Sequence, residues 1–249
     1  MALRIWLCYK LLMNSLLKSK LHNYTPSQSA IKLVQNTSML FIVGVFGAGK
    51  DTLTNELLKS GLYHRIVSHT TRAPRVNDDN LEQNGIDYHF VDFAVAEHMI
   101  SQNSFLEAKL IHDSDIYGTS VAEIQMAHDE AKTALTDIDV QGVVEYMHIS
   151  DKAKAIFLLP PSYDVWQERI IKRSGGKLPD DVFERRMNSS ALELDHALKS
   201  NYFHFVINDD LEQAVADIQT IHNGKAITAH DRTGRNVALD LLEALKTKI

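Results

Sequence analysis

The run MLFIVGVFGAGKDTL, residues 39–53, limits the possible folds more than any other part of the chain. A short apolar segment leads into a glycine-rich turn and a helical pattern, and the run fits the motif G-x-x-x-x-G-K-[ST] at every position except the last. In such a loop, backbone N–H groups and a helix N-terminus form an anion-binding concavity, and the lysine adds a mobile positive charge. The run therefore predicts a buried strand, a phosphate-binding loop and a helix. The residues expected at the phosphates are Gly44, Gly47, Ala48, Gly49, Lys50, Asp51 and Thr52.

Asp51 stands at the last position of the motif, where a serine or threonine hydroxyl normally holds Mg²⁺. Thr52 offers a hydroxyl one residue later, and water can replace a missing ligand because Mg²⁺ usually keeps several waters. Asp51 itself either binds the ion or supports the helix as an acidic residue of its first turn. Both interpretations keep the phosphate-binding loop.

Strand and helix patterns alternate beyond this loop. Buried strands are expected at 134–140, 153–159 and 202–208, and helices at 141–149, 162–173, 182–199 and 210–222. This alternation predicts an α/β fold, with a parallel core sheet flanked by helices on both faces.

Two segments interrupt the alternation. Residues 70–120 combine short strand-like pieces, turns and one helix at about 93–102, so we expect them to form an inserted lobe. The stretch RSGGKLPDD, residues 173–181, places two glycines and a proline between helices and predicts a mobile loop.

Composition and charge exclude several classes of function. The chain is 45% hydrophobic and 23% charged, which is typical of a soluble globular protein, and its one cysteine, Cys8, permits no intrachain disulfide and favours a reducing compartment. The twelve histidines lack the spacing of a metal site. No apolar run approaches the eighteen or so residues that span a membrane.

The charge is unevenly distributed. The first fifty residues hold six of the 26 basic side chains and none of the 32 acidic ones, so the rest of the chain has 20 basic against 32 acidic side chains. A body this acidic is a poor binder of the nucleic-acid backbone, and no nucleic-acid partner is expected.

Both termini extend beyond the alternating pattern. Residues 1–38 are basic and read as a transit-type presequence, as a membrane-surface helix, or as an unselected extension ahead of a natural start at Met39. Residues 224–249 include an amphipathic helix at 235–249 that is expected to pack on the body or on a partner subunit.

Arginines in the first interrupting segment suggest a second phosphate site. SHTTRAPR places Arg72 and Arg75 three residues apart in a turn-like stretch, with DYHFV downstream. Two arginines beside tyrosines can clamp a phosphate in bidentate fashion, although a surface ion pair would have the same local pattern.

At this point six motifs give the chain a family resemblance. SHTTRAPR, NGIDYHFV, FLEAKLIHDSDIYGTS, TDIDVQGV, IFLLPPS and VINDDLEQA occur in the order and spacing of guanylate kinases, over about residues 40–222. The resemblance implies a P-loop nucleoside-monophosphate kinase with three parts. These would be a core at 39–69 and 121–223, a GMP-binding lobe at 70–120, and a mobile lid at about 173–184.

The resemblance also implies roles for individual residues. Arg72, Arg75, Tyr88 and Tyr117 would hold the GMP phosphate, and Ser68, Glu107, Thr119 and Asp139 would surround the guanine. Lys50 would act in catalysis with lid arginines, for which Arg173 and Arg186 match better than Arg169 and Arg185. Asn208 would line the adenine side of the ATP site. Apart from the resemblance, Asp137 and Asp139 stand at the carboxyl end of a predicted strand beside the phosphate-binding loop, which suits Asp137 to the outer shell of Mg²⁺, with Asp51 as a second candidate ligand. A pair of helix-capping aspartates would have the same local pattern.

The chemistry of guanine supports Glu107. Guanine presents N1–H and the exocyclic N2 amine as adjacent donors, which one carboxylate can accept together, and its O6 suits a hydroxyl of Thr119 or Ser68. Adenine lacks the N1–H and the N2 amine, so it would leave the carboxylate unpaired, and such sites discriminate by orders of magnitude.

The sequence is thus interpreted as an ATP:GMP phosphotransferase that uses Mg²⁺ with ATP, works as a monomer or homodimer, and is cytoplasmic, or organellar if residues 1–38 are a transit peptide. Asp51, Phe46 and Ile116 depart from the family pattern. Two alternatives stay open. The first is ribose 1,5-bisphosphate phosphokinase, a related enzyme whose phosphate-binding loop resembles the GKD sequence that ends at Asp51. The second is a guanylate-kinase-like module that binds phosphoproteins without turnover, although such modules characteristically lose the loop lysine, which is present here as Lys50.

Overall fold

A computed structural model describes residues 19–21, 24–77, 80–111, 114–176, 179–225 and 228–248. Most of the basic N-terminal segment and part of the loop at 173–181 lie outside the described residues. The chain divides into two compact units. Unit 1 comprises the described residues up to Val34 together with 66–129, and unit 2 comprises 35–65 together with the chain from Glu130 onward.

The elements follow one another along the chain. The strands are β1 (Met39–Gly44), β2 (Tyr63–Arg65), β3 (His69–Thr70), β4 (Val76–Asn77), β5 (Asn80–Leu81), β6 (His89–Phe90), β7 (Phe105–Ile111), β8 (Asp115–Ser120), β9 (Thr133–Asp137), β10 (Ala153–Leu159) and β11 (Phe203–Ile207). The helices are α1 (Gln28–Asn36), α2 (Lys50–Lys59), α3 (Phe93–Ser101), α4 (Val121–Asp129), α5 (Val140–Ile149), α6 (Tyr163–Arg173), α7 (Asp180–Lys199), α8 (Leu211–His222) and α9 (Thr228–Lys248).

Unit 2 is built on a five-stranded parallel sheet in the order β11-β10-β1-β9-β2. Every residue of the central strand β1 is buried, and β10 is buried at all but one position. Nearly continuous apolar strands of this kind are typical of parallel sheets that are covered on both faces. The predicted parallel α/β core is therefore confirmed.

The predicted site residues of unit 2 lie at, or just after, the carboxyl ends of these strands. Gly44 ends β1 and opens the phosphate-binding loop, Asp137 ends β9, and Asn208 follows β11. Because the strands run parallel, these ends meet at one edge of the sheet, which is where ligands bind in open α/β sheets.

Two element boundaries differ from the sequence prediction for local reasons. The strand expected at 134–140 ends at Asp137, because the Asp139 side chain accepts a hydrogen bond from the Gly142 N–H at 2.6 Å and caps α5. The helix expected at 182–199 begins at Asp180, where two aspartates stand in its first turn and favour an earlier start.

Unit 1 contains a four-stranded sheet in the order β6-β3-β8-β7 and the short antiparallel pair β4 and β5. The apolar residues that pack together in its core are Leu21, Ala96, Ile100, Phe105, Ala108 and Ile116. The boundary between the units falls after Arg65, four residues before the predicted lobe at 70–120. The reason is that β3, at 69–70, pairs with β8 in the sheet of unit 1.

The C-terminal helix α9 belongs to unit 2 and starts at Thr228, seven residues earlier than predicted. It packs on the edge strand β11, where Asp231 Oδ1 accepts a hydrogen bond from the Phe205 N–H at 2.8 Å. Gly234 lies directly against Phe205, so any larger side chain would collide with that backbone. Within the described ranges, no helix has the length and apolar character that crossing a membrane would require.

Candidate active site

Protein donors engage the carbonyl oxygens of the phosphate-binding loop. Lys50 Nζ donates to Gly44 O at 2.6 Å, Trp166 Nε1 to Phe46 O at 2.6 Å, and Asn208 Nδ2 to Ala48 O at 2.8 Å. The next helix begins at Lys50, and the N–H groups of a first helical turn have no partner inside the helix. Three loop carbonyls are thus occupied, and the N–H groups of the first helical turn are what this segment offers to an anion.

Two glycines of the loop are required by its geometry. Gly49 has a φ of +92°, and a Cβ there would lie 2.5 Å from Asn208 Nδ2. At Gly44 a Cβ would collide with the carbonyl of Leu158 in the neighbouring strand β10. A side chain at either position would therefore displace the backbone that cradles the phosphates.

Asn208 is a buried support of this loop. Its amide nitrogen is bound to Ala48, and its backbone carbonyl accepts a hydrogen bond from Arg169 NH1 at 2.7 Å. The contact with adenine that the family resemblance implied stays a prediction, while the structural role follows from the geometry.

Lys50 is partly buried, and the charges of three carboxylates act on its ammonium group. Burial lowers the pKa of its ammonium below the ordinary value, and the nearby charges of Glu193, Asp137 and Asp51 oppose that shift. Burial likewise raises the pKa of the Glu193 carboxyl, against the effect of Lys50. Glu193 was not among the sequence-predicted residues, because its position on α7 looks like that of any helical glutamate.

The structure separates the four candidate arginines. Arg173 and Arg186 lie over the ring of Phe46 in the phosphate-binding loop, and Arg173 NH2 is 3.7 Å from Asp51 Oδ2. The remaining two serve elsewhere, since Arg169 binds the Asn208 carbonyl and Arg185 pairs with Asp181 one turn away on the same helix.

The two aspartates of TDIDVQG have different environments. Asp139 is the N-cap of α5, as described above, and Asp137 lies exposed at the end of β9, where its charge acts on Lys50. Across the part of the chain that the structure describes, no cluster of three or more histidine, cysteine or carboxylate side chains could hold a metal ion. The predicted contacts of Asp137 with a metal and of Asp139 with guanine stay predictions.

Unit 1 assembles a network around Arg72, which is 8% exposed. Its Nε donates to Tyr117 OH at 2.8 Å, its NH1 lies 2.8 Å from Glu82 Oε2, and its guanidinium lies 5.3 Å from the centre of the Tyr88 ring. Burial disfavours the charge, but the hydrogen bonds to Glu82 and Tyr117 outweigh it and raise the pKa of Arg72. The structure thus brings Arg72, Tyr88 and Tyr117 together, and their contact with the GMP phosphate stays a prediction.

Glu82 is a residue that the sequence analysis missed. Its carboxylate binds the Arg72 guanidinium and also accepts from the Arg75 N–H at 2.8 Å, so it holds both predicted phosphate ligands. An acidic residue ten positions after Arg72 gives no local signal, because the β4–β5 turn decides that the two side chains meet.

We expect Glu82→Gln to destabilise the protein by about 1–3 kcal/mol, because it leaves the buried Arg72 charge without its counter-ion. The free energy of unfolding would be measured by urea denaturation. Glu56→Gln is the matched control, since Glu56 pairs with Lys59 on an exposed surface and its loss is expected to cost less than about 1 kcal/mol. Equal effects of the two substitutions would contradict the role of Glu82.

Two of the predicted guanine ligands, Glu107 and Thr119, lie on the sheet of unit 1, whereas Asp139 belongs to unit 2. Glu107 on β7 accepts a hydrogen bond from the Thr119 N–H on β8, with an N to Oε1 distance of 3.1 Å. Ser68 directly precedes β3, and its carbonyl accepts from the His89 N–H at 2.9 Å. The structure brings Glu107 and Thr119 together, and their contact with a base stays a prediction.

A histidine pair that the sequence analysis did not single out lies beside Ser68. The rings of His69 and His89 are 4.6 Å apart, and His89 Nε2 is 2.9 Å from Glu123 Oε1. Burial, together with the neighbouring His89, lowers the pKa of His69 to about 4, so this ring is neutral at pH 7.

Comparison with known proteins relates the sequence to one family. The family model described as guanylate kinase matches residues 36–224. A guanylate kinase of Histophilus somni is 34% identical over 196 residues, covering 78% of this chain and 90% of that protein. A guanylate kinase of Chromohalobacter salexigens is 37% identical over 199 residues, covering 79% and 84%.

A solved structure matches the fold. The crystal structure of guanylate kinase from Anaplasma phagocytophilum aligns with a TM-score of 0.54 and 24% sequence identity, and the alignment covers 79% of this chain and 90% of that one. At this identity the likeness concerns the fold alone.

Proposed function

The chain belongs to the guanylate kinase family, and we propose that it transfers the γ-phosphoryl group of ATP to GMP, giving ADP and GDP. The observation that carries the proposal is the phosphate-binding loop of unit 2. Its carbonyl oxygens are held by protein donors, and Lys50 and two arginines are gathered beside it.

Unit 2 supplies the groups that this reaction needs on the ATP side. Phosphoryl transfer places negative charge on the oxygens of the moving group, and fixed positive charges stabilise it. We assign Lys50 to the triphosphate, with Arg173 and Arg186 as the arginines that act on the transferred group. The loop N–H groups would bind the phosphates that stay with ADP.

Unit 1 supplies the acceptor side. We assign the GMP phosphate to Arg72, Arg75, Tyr88 and Tyr117, and the guanine to Glu107, with Thr119, Ser68 and Asp139 as further candidate contacts. No protein general base is assigned, because the attacking phosphate oxygen of GMP is already ionised near pH 7.

Mg²⁺ is expected to arrive with ATP and to neutralise its phosphates. The carboxylates near the loop fit an ion held mainly by phosphate oxygens and water, which is the usual condition of Mg²⁺ at nucleotides. Asp137 would bind it through water, and Asp51 is a second candidate that Arg173 already contacts.

We propose a cytoplasmic location, or an organellar one if residues 1–38 are a transit peptide. A chain with one cysteine forms no intrachain disulfide, which is typical of proteins in reducing compartments. We propose a monomer or homodimer with no nucleic-acid partner, in keeping with the acidic body of the chain.

The test is ADP release from ATP and Mg²⁺ with GMP, AMP or ribose 1,5-bisphosphate as the acceptor. Turnover on GMP at a rate at least about 10³-fold above that on AMP is expected from a site built on hydrogen bonds to guanine. Turnover only on the sugar bisphosphate would contradict the assignment of GMP as the phosphoryl acceptor. Measurable GMP binding without turnover on any acceptor would contradict the enzymatic function and favour the binding module.

A further inference from the structure

Two departures from the expected loop sequence contact the same arginine, Arg173, and one of them, Phe46, also contacts Arg186. Phe46 and Asp51 both lie in the phosphate-binding segment, where Asp51 occupies the position of the motif's hydroxyl residue. The Phe46 ring centre is 4.5 Å from the guanidinium carbon of Arg186 and 5.6 Å from that of Arg173, and Asp51 Oδ2 is 3.7 Å from Arg173 NH2. The ring and the carboxylate therefore act on a common partner.

These arginines come from two different helices. Arg173 is the last residue of α6 and Arg186 lies in the second turn of α7, on opposite sides of the glycine-containing connection. Two guanidinium groups near one point repel each other, and both side chains are substantially exposed and lose conformational freedom when they are held. An aromatic face attracts a cation that lies over it, so the Phe46 ring offsets part of this cost.

The backbone that carries the Phe46 ring is held in place by the protein. The Phe46 carbonyl accepts a hydrogen bond from Trp166 Nε1 at 2.6 Å, and the neighbouring residue Val45 is buried. The Phe46 ring is thus attached to the same loop that binds the phosphates. A guanidinium over a ring uses its face for the contact, and its N–H donors lie in its plane, where they remain able to bind phosphate oxygens.

We propose that Phe46 is a positioning residue for phosphoryl transfer, whose ring holds Arg186 and, more weakly, Arg173 beside the phosphate-binding loop in readiness for the transferred group. The inference rests on the proposed function, because it assigns the arginines to that reaction. Charges that are fixed in advance need no reorganisation when the reaction occurs. The Phe46 ring is therefore expected to raise kcat and to leave the KM for GMP unchanged.

The experiment compares Phe46→Leu, which keeps an apolar side chain and removes the aromatic face, with Phe46→Tyr, which keeps the face. We expect Phe46→Leu to lower kcat about tenfold, because the cation–π contacts of two arginines with the ring would be lost together. Phe46→Tyr is expected to stay within about twofold of the wild type. Phe93→Leu, at an exposed phenylalanine of α3, is the matched control and should leave kcat unchanged.

A double-mutant cycle separates positioning from a purely structural role. In an Arg186→Ala background, Phe46→Leu is expected to change kcat by less than about twofold, because the main residue through which it acts is gone and only the longer contact with Arg173 remains. A full tenfold loss in that background, or a kcat for Phe46→Leu equal to or above that of the wild type, would overturn the inference. The last result would mean that the ring keeps the arginines away from the phosphates. A wild type that does not phosphorylate GMP would instead overturn the proposed function, so the two failures are distinguishable.

Discussion

Replacement of Lys50 by methionine is expected to lower kcat for phosphoryl transfer to GMP by about 10³-fold, because a preorganised positive charge at the triphosphate is lost. The free energy of unfolding should fall by no more than about 1–2 kcal/mol, the cost of losing the hydrogen bond from Lys50 Nζ to the Gly44 carbonyl. The Lys50 ammonium is already disfavoured by burial, which lowers its pKa, and methionine keeps the apolar stem. The measurement combines initial-rate kinetics with urea denaturation.

Lys59→Met on the same helix is the matched control. Lys59 is exposed and pairs with Glu56 at 2.6 Å, so its loss should leave kcat unchanged and alter the free energy of unfolding by less than about 1 kcal/mol. A Lys50→Met enzyme that kept more than a tenth of the wild-type kcat would contradict the role assigned to this lysine.

The second large effect is expected for Glu107→Gln, which should reduce kcat/KM for GMP by about 10²-fold. A hydrogen bond from guanine to a carboxylate is worth more than one to a neutral amide, and the amide nitrogen would face the donors of the base. The amide oxygen can still accept from the Thr119 N–H, which lies 3.1 Å from Oε1, so the β7–β8 pairing should persist.

Discrimination between acceptors identifies the cause of this loss. AMP leaves the Glu107 carboxylate unpaired, so its kcat/KM should not fall, and the ratio of GMP to AMP should fall by at least the same factor of about 10². Glu97→Gln, on α3 of the same unit, is the control for a general effect of charge. Parallel losses for GMP and AMP would show that Glu107 supports the fold and does not read the base.

The candidate site could be predicted only in part, for reasons that differ from residue to residue. Lys50 and its glycines are recognised because the loop, the strand before it and the helix after it are contiguous in sequence. Choosing Arg173 and Arg186 over Arg169 and Arg185 needed the resemblance and then the structure, because all four lie on exposed-looking helical positions. Glu82 and Glu193 carried no local signal, because the positive charges on which they act, Arg72 and Lys50, lie ten or more residues away.

The sequence by itself determined the parallel α/β core of unit 2 and the position of the phosphate-binding loop, because hydrophobic periodicity and glycine placement act over a few residues. Only the tertiary structure decided which polar side chains meet. It paired Arg72 with Glu82 and placed the Asn208 side chain where it binds a carbonyl of the phosphate-binding loop. It also brought two arginines from different helices, Arg173 and Arg186, onto the ring of Phe46. Such contacts depend on how segments that are distant in sequence pack together, and local sequence patterns do not predict that packing.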